Sequence, residues 1–248
     1  MSFVVPTSDI LAAGSLLAYY LLVVVLLPTL LKVLTKTPTE LVRKMQHIAY
    51  SLSVFILLNL FSTWYVAVGA AFLLVLLAYP VLLLVEKTPR YLEVFVDRTK
   101  HGGELRKQLL YVQLSFAILI SVYWGLMGPQ WRYVVAVAVM GWGFGDAAAA
   151  LIGKRFGRRR FLTRYIEGAK THEGLWAMMV VAGTALFYTL LLYAGKPWYV
   201  SLVMSTVVAP VCGIVELFSR RGTDTLTVPL AAAAVTRRLA IVLSLLGW

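Results

Sequence analysis

The sequence has few charged residues and a single cysteine. Charged residues make up 14% of the 248 residues, and hydrophobic residues make up 60%. Soluble domains are nearer a quarter charged and half apolar, and a water-soluble fold of this length leaves too much of its chain exposed for such a composition. The shortage of charge therefore excludes ordinary soluble and disordered classes and predicts a membrane protein. The single cysteine, Cys212, excludes an internal disulfide.

Several recognisable patterns are also missing. The first apolar run begins near Ile10, follows Asp9 rather than a basic residue, and is too long for a signal peptide, so it predicts a first membrane span. The chain has no HExxH, GxSxG or CxxC motif, which leaves zinc proteolysis, serine hydrolysis and dithiol chemistry without support. Lys154 follows a glycine as in a Walker A loop, but Arg155 stands where that loop needs Ser or Thr.

Apolar runs of membrane-spanning length predict an all-α, polytopic membrane protein with about eight transmembrane helices, seven to nine being possible. The predicted spans cover 10–34, 46–62, 64–85, 109–127, 131–152, 174–194, 198–218 and 226–247. The second span is short. Arg237 and Arg238 interrupt the last one, so we expect a broken or tilted helix there. No linker divides the chain, which predicts a single integral membrane domain over residues 1–248.

The surplus of basic residues is interpreted as an orientation signal. Twenty-three Lys and Arg stand against eleven Asp and Glu, a formal net charge of +12. The basic residues gather in the connections after the first, third, fifth and seventh spans, whereas the other connections hold Arg132 and Lys196 alone. The positive-inside rule then predicts four basic cytoplasmic segments and an N-terminus outside. This distribution explains the surplus without a nucleic-acid partner.

Four polar patches fall on the predicted cytoplasmic face, the first of them at the entrance to the second span. Spacings of three and four residues place Glu40, Arg43, Lys44 and His47 on one helical face. Basic side chains that snorkel towards lipid headgroups are the plain structural alternative.

The second patch ends the fifth span. Asp146 lies at the predicted membrane boundary, where an ionised group is costly and is usually functional. Ala149, Gly153 and Gly157 recur every fourth residue and form a flat ridge that a helix or a ligand could approach closely. Small-residue helix packing is the structural alternative. The glycines upstream of the acid are expected to bend or break the helix: Gly141, Gly143 and Gly145.

The third patch opens the sixth span with Lys170, Thr171, His172, Glu173 and Gly174. Thr171 can cap the helix, and Glu173 suits its first turn. The same position can serve a ligand, because a helix start offers free N–H groups and Lys170 adds positive charge, which together suit a phosphate.

The fourth patch precedes the last span and runs from Ser219 to Pro229, with Glu216 just before it. Asp224 can cap the helix that follows, and Pro229 fits an early helical turn. Carboxylates, cations and a helix start at one membrane face are the parts that phosphoryl transfer needs.

The motifs resemble those of the CTP-dependent lipid kinases, a family of dolichol kinases, phytol kinases and CTP-dependent diacylglycerol kinases. The series Asp146-x-x-Ala149-x-x-x-Gly153-x-x-x-Gly157, a basic stretch and then Lys170-Thr171-x-Glu173-Gly174 resembles the CTP-binding signature of dolichol kinases. Two outlying motifs agree with it: Glu40-x-x-Arg43-Lys44-x-x-His47 and Asp224-Thr225-Leu226-Thr227-Val228-Pro229. This chain departs from the family at Ala169, where a second lysine is frequent, and at Thr225, where Asn is usual.

The resemblance implies transfer of the γ-phosphate of CTP to the hydroxyl of a lipid alcohol, with Mg²⁺, at the cytoplasmic face of the cell membrane or, in a eukaryote, of the endoplasmic reticulum. It implies catalytic roles for Asp146, Lys170, Glu173 and His47, and metal binding by Asp146 and Asp224. It implies nucleotide binding by Ala149, Gly153, Lys154, Gly157, Lys170, Thr171, Gly174, Arg43 and Lys44. A homo-oligomer is possible, but nothing in the sequence indicates one.

Three other functions remain open at this point. A diacylglycerol kinase of the same family would differ in its acceptor lipid. A cytidylyltransferase would share the CTP site, but Asp146 is followed by alanines rather than by the second acid of that enzyme class. A transporter could use Asp146, Glu216, Arg237 and Arg238 as an ion path, although the polar residues gather at one face and no inverted repeat is visible.

Overall fold

The computed structural model describes residues 6–35, 37–88, 103–163, 166, 170–220 and 222–247. Across these ranges the chain is α-helical, and an isolated antiparallel bridge between Arg160 and Thr171 is the sole β-type pairing. The predicted all-α class is confirmed. The chain divides into two compact units, Met1–Leu126 and Met127–Trp248, and the single domain expected from the sequence stays a prediction.

The described residues of the first unit form six α-helices, two of which continue into wider π-helical turns. They are α1 (Thr7–Tyr19), the π segment Tyr20–Leu26, α2 (Leu27–Leu34), α3 (Thr39–Leu52), α4 (Val54–Asn59), α5 (Trp64–Val85) and α6 (Glu104–Leu119) with the π segment Ile120–Leu126. Pro28 stands at the second position of α2. Proline has no N–H to donate, so the regular helical hydrogen-bond pattern is interrupted at Pro28. The wider π-helical turns lie directly before this position.

Polar side chains inside the first unit bond to one another. The carboxylate of Asp9 accepts hydrogen bonds from the backbone N–H (2.8 Å) and the hydroxyl (2.7 Å) of Ser62. The Tyr20 hydroxyl lies 3.1 Å from the Ser53 hydroxyl and accepts a bond from the Gln113 amide. Such pairing is required in a membrane, where a buried polar group without a partner is costly.

In the second unit the structure describes four α-helices. They are α7 (Arg132–Phe156), preceded by a 3₁₀ turn at Pro129–Trp131, α8 (His172–Tyr188) with the π segment Thr189–Tyr193, α9 (Trp198–Phe218) and α10 (Asp224–Leu245). The helix α7 packs against α8, α9 and α10, and a run of its side chains from Val134 to Met140 is fully or almost fully buried. Gly153 lies beside Gly174 and Gly141 beside Leu186, so α7 and α8 are antiparallel. The connections before and after α9 are short, so the starts of α7 and α9 lie near the ends of α8 and α10.

Seven helical segments of the described chain are long and apolar enough to cross a membrane. They are Thr7–Leu34, Trp64–Val85, Leu105–Leu126, Pro129–Phe156, His172–Tyr193, Trp198–Phe218 and Asp224–Leu245. Seven of the eight predicted spans are thereby matched, within the expected range of seven to nine. The remaining span, 46–62, consists of the two shorter helices α3 and α4, which meet at Ser53.

The expected break in the last span is wrong. The helix α10 runs unbroken through Arg237 and Arg238. The guanidinium of Arg237 lies over the Trp131 ring, 5.4 Å from its centroid, and Arg238 is exposed at the helix surface. Long basic side chains keep their charged ends in favourable surroundings while their stems cover apolar surface, so neither residue requires the backbone to deviate.

Candidate active site

A stripe of small residues on α7 forms a close contact with α8. We call it the α7–α8 seam: Gly141, Gly145, Ala149, Gly153 and Gly157. A Cβ atom added at Gly145 would lie 2.6 Å from Met178 Sδ and 2.9 Å from Ala182 Cβ, and one added at Gly141 would lie 3.0 Å from Leu186 Cδ2. Neighbouring residues of the α7 stripe are four positions apart in sequence, and so are the α8 residues that they contact. This spacing is expected of helices packed through small residues.

The expectation that the upstream glycines break the helix is therefore wrong, and a bend there stays a prediction. The helix α7 continues through Gly141, Gly143 and Gly145 without interruption. At Gly141 and Gly145 the missing side chain instead makes room for α8. The sequence contained the signal, since the four-residue spacing of Ala149, Gly153 and Gly157 extends upstream to these two positions.

The seam continues to the start of α8. A Cβ atom at Gly153 would lie 3.1 Å from Thr171 Oγ1 and 3.5 Å from the Cα of Gly174, and one at Gly174 would lie 3.0 Å from the carbonyl oxygen of Ala149. Gly157 is equally close, because its Cβ would lie 2.9 Å from Thr171 Oγ1. These glycines thus place the first turn of α8 directly on the backbone of α7. Contact between the same glycines and a nucleotide stays a prediction.

A backbone clasp closes the segment that joins α7 to α8. The N–H of Phe161 donates to the carbonyl of Lys170 (3.1 Å), and the N–H of His172 donates to the carbonyl of Arg159 (3.0 Å). The rings of Phe161 and His172 stack with their centroids 3.9 Å apart. The clasp therefore holds three consecutive exposed arginines beside the start of α8: Arg158, Arg159 and Arg160.

Thr171 caps α8, as predicted. Its hydroxyl oxygen accepts a hydrogen bond from the N–H of Gly174 at 3.1 Å, and the side chain is 5% exposed. The expectation of free N–H groups at this helix start is wrong for two of them. The N–H of His172 bonds to the Arg159 carbonyl, and that of Gly174 to the threonine hydroxyl. The helix dipole and the nearby cations remain to attract an anion here.

Lys170 bridges the start of α8 and the end of α9. Its ammonium lies 3.0 Å from Glu216 Oε1. It also donates to two backbone carbonyls at the end of α9, those of Glu216 and Ser219. A cation at a helix C-terminus compensates the carbonyl groups that have no partner within the helix. Sequence reasoning did not assign Glu216 to the site, because 46 residues separate it from Lys170.

The carboxylates predicted to bind metal lie on two helices that pack together. Asp146 is 8% exposed within α7, and Asp224 is the first residue of α10. Thr223 rather than Asp224 holds the N-cap position, and its hydroxyl donates to the Arg220 carbonyl at 2.8 Å. Among the described residues no three His, Cys, Asp or Glu side chains converge. Mg²⁺ is commonly held by one or two carboxylates together with substrate phosphates, and its binding by Asp146 and Asp224 stays a prediction.

Two further predicted site residues, Glu173 and Lys154, lie at helix ends of the second unit. Glu173 lies in the first turn of α8 and accepts a long hydrogen bond (3.5 Å) from the N–H of Arg159. Lys154 is exposed in the last turn of α7. Both residues belong to the second unit and lie on the helix ends that the clasp and the seam bring together.

The first unit contains the third group of predicted residues. Arg43, Lys44 and His47 are buried on α3, and an Arg43 Nη2 atom lies 2.5 Å from Glu40 Oε1. Buried cations need anionic or polar partners, which disfavours simple snorkelling towards lipid. The meeting of these side chains with the residues of the second unit stays a prediction.

The site and its setting define the class: an integral membrane protein whose helix ends gather lysine, arginine and carboxylate side chains. The chain is 32% identical to phytol kinase of Synechocystis sp. over an alignment of 228 residues. This alignment covers 90% of this chain and 89% of the relative. Over 99 residues, 40% of this chain and 19% of the relative, it is 31% identical to dolichol kinase sec59 of Schizosaccharomyces pombe. No family model matches the chain, and no solved structure matches it. The chain belongs to the family of membrane lipid kinases that includes phytol kinase and dolichol kinase.

Proposed function

We propose that the protein transfers the γ-phosphate of CTP to the hydroxyl of a polyprenol or isoprenoid alcohol at the cytoplasmic membrane face. The observation that carries the proposal is the clasp, which holds Arg158, Arg159 and Arg160 beside the start of α8. Phosphoryl transfer depends mainly on positioning and on cations that offset the charge of the transferred group. The similarity to phytol kinase over most of the chain supports the same chemistry.

The phosphates would lie between the clasp and the helix ends of the second unit. Arginine side chains suit phosphate oxygens because the planar guanidinium can donate two hydrogen bonds at once. Lys170 is held at the same place by Glu216 and by the carbonyls at the end of α9. A fixed ammonium loses less conformational freedom on binding than a mobile one, which favours a phosphate contact there.

Asp146 and Asp224 would hold Mg²⁺ together with the phosphates. The ion would offset negative charge on the phosphate groups when bound. Asp146 would otherwise accept the proton of the lipid hydroxyl, a role that its position as a largely buried carboxylate on a membrane-spanning helix supports. His47, on α3 of the first unit, is the other candidate for this proton.

The proposal is tested with purified protein, γ-labelled CTP or ATP, and a panel of lipid alcohols. We expect label on phytol, geranylgeraniol or dolichol with CTP as donor, and CDP as the second product. Incorporation from ATP but not from CTP would contradict the choice of donor. Release of pyrophosphate would instead identify a cytidylyltransferase, and phosphate on diacylglycerol alone would identify the other kinase branch.

A further inference from the structure

Two cations and two aromatic rings form a continuous stack at the end of the second unit opposite Lys170. The Lys196 ammonium lies 5.4 Å from the centroid of the Tyr133 ring. That ring stacks on Trp131, with the centroids 6.2 Å apart and the planes at 26°. The guanidinium of Arg237 covers Trp131 at 5.4 Å. We call these four residues the distal stack.

The sequence provides no acid to neutralise these cations within the second unit. No Asp or Glu occurs in the segments 127–145, 174–215 or 225–248, which form this end. Along their helices the nearest acids are Asp146 and Asp224, each roughly 20 Å away at 1.5 Å per residue. That distance exceeds the Debye length of about 8 to 10 Å. Arg132 and Arg238 add further positive charge to the same end.

The surroundings of the stack match a membrane–water interface. Trp198 and Tyr199 begin α9 at this end and are 63% and 43% exposed. Tryptophan and tyrosine are enriched where the hydrocarbon core meets the headgroups, because one part of each ring system is apolar and another is polar. This composition is typical of the depth at which phospholipid phosphates are found.

Neither cation is bound to a carboxylate in the described part of the chain, and the Nε atom of Arg237 is buried without a hydrogen-bond partner there. The backbone N–H of Lys196 bonds to the Leu190 carbonyl at 3.0 Å, which fixes where its side chain starts. The aromatic rings hold both cations in place but have no net negative charge to neutralise them. A phosphate at this position would supply the missing anion.

We propose that the distal stack binds the phosphate of an anionic phospholipid from the membrane leaflet at this end. Lys196, in the connection between α8 and α9, would contact the phosphate, and Arg237 at the other end of the stack would add positive charge beside it. Trp131 and Tyr133 would hold the two cations while the lipid tails lie along the helices. This site is distinct from the proposed nucleotide site and does not depend on the reaction catalysed. It predicts a preference for anionic over zwitterionic lipid.

The test measures lipid bound to the whole protein by native mass spectrometry in detergent. Wild type is titrated with phosphatidylglycerol, with phosphatidylcholine, and with inorganic phosphate in the absence of added phospholipid. The double variant Lys196→Gln, Arg237→Gln removes both cations. The matched control Lys87→Gln, Lys107→Gln removes the same charge from exposed positions in the first unit.

We expect wild type and the control to retain phosphatidylglycerol in preference to phosphatidylcholine. Each basic residue near anionic lipid changes affinity about five-fold, so the double variant should bind phosphatidylglycerol about 30-fold more weakly. Arg237→Lys should keep most of the preference. Equal binding of both lipids by wild type, or an unchanged preference in the double variant, would overturn the proposal.

Two further outcomes are decided by the same titrations. If wild type binds inorganic phosphate as tightly as phosphatidylglycerol and the double variant loses both, the site accepts a free ion and the lipid assignment is wrong. If the double variant does not fold, Lys196→Gln alone decides the matter, because Lys196 lies in the connection between α8 and α9. That variant should then bind phosphatidylglycerol about five-fold more weakly.

Discussion

The ammonium of Lys170 lies 3.0 Å from Glu216 Oε1, so the residue at the start of α8 is tied to the last turn of α9. The two side chains are 22% and 13% exposed, which leaves the pair accessible to a ligand. The same ammonium donates to the Ser219 carbonyl at 3.2 Å. This contact makes Glu216 a positioning residue for the lysine that we place on the phosphates.

Glu216→Gln should lower nucleotide affinity without unfolding the protein. The lysine keeps its two carbonyl partners but loses the carboxylate that aims it, so we expect a rise of about five- to ten-fold in KM for CTP and a smaller change in kcat. Stability should fall by about 1 kcal/mol or less, as for other partly exposed ion pairs. Steady-state kinetics and thermal melting in detergent measure the two effects.

Glu216→Asp provides the matched control for that variant, since it retains the charge one methylene further back. We expect partial rescue of KM. A variant Glu216→Gln with normal KM and a lowered melting temperature would show that the pair only holds α8 and α9 together.

Thr171→Ala should destabilise the protein by about 1 kcal/mol, because the N–H of Gly174 loses the oxygen that caps it. Thr171→Ser keeps that oxygen and should melt close to wild type. Comparing KM for CTP in the two variants separates capping from phosphate binding. If Thr171→Ala alters neither stability nor KM, the hydroxyl has no role in either.

Substitutions of two buried aspartates, Asp9 and Asp146, should affect different properties of the protein. The first should lower stability and the second should lower activity. Asp9→Ala removes the acceptor of two Ser62 hydrogen bonds and should cost about 1 to 3 kcal/mol of stability while activity per folded molecule is kept. Asp146→Asn should leave the melting temperature nearly unchanged and reduce kcat by about 100-fold or more. Normal kinase activity in Asp146→Asn would refute its assignment to the reaction.

Gly145→Ala should lower stability by about 1 to 3 kcal/mol, because the added methyl group would lie 2.6 Å from Met178 Sδ and overpack the α7–α8 seam. Gly69→Ala is the matched control, since no atom lies within 4 Å of its added Cβ in the middle of α5. That variant should be as stable as wild type or more stable by up to about 1 kcal/mol. Equal melting temperatures for the two variants would contradict close packing at the seam.

Much of the helical architecture could be predicted from the sequence. The spans expected at 64–85 and 198–218 coincide with α5 and α9, because charged residues or Pro and Gly interrupt the apolar runs at both ends. The prediction of helix breaks failed where a charged or small residue contacts another helix of the fold. Arg237 rests on Trp131 and leaves α10 unbroken. The glycines of α7 accommodate α8 and do not interrupt their own helix.

The candidate site was predicted as a set of motifs but not as a set of contacts. Thr171 caps α8 as its position before the apolar run indicated, since capping depends on residues within one helical turn. The clasp at Arg159, Phe161, Lys170 and His172 could not be predicted. Backbone pairing across a loop of ten or so residues depends on where α7 and α8 place the two ends of that loop.

The sequence by itself determined that the chain is a helical membrane protein and which lipid-kinase motifs it contains, because run length, hydropathy and motif spacing are properties of consecutive residues. Only the tertiary structure decided that Lys170 meets Glu216 and that Arg237 meets Trp131. Those pairs depend on which helix faces are buried against each other. The missing side chains of Gly145 and Gly153 allow α8 to approach α7 closely, and that approach sets the position of the start of α8.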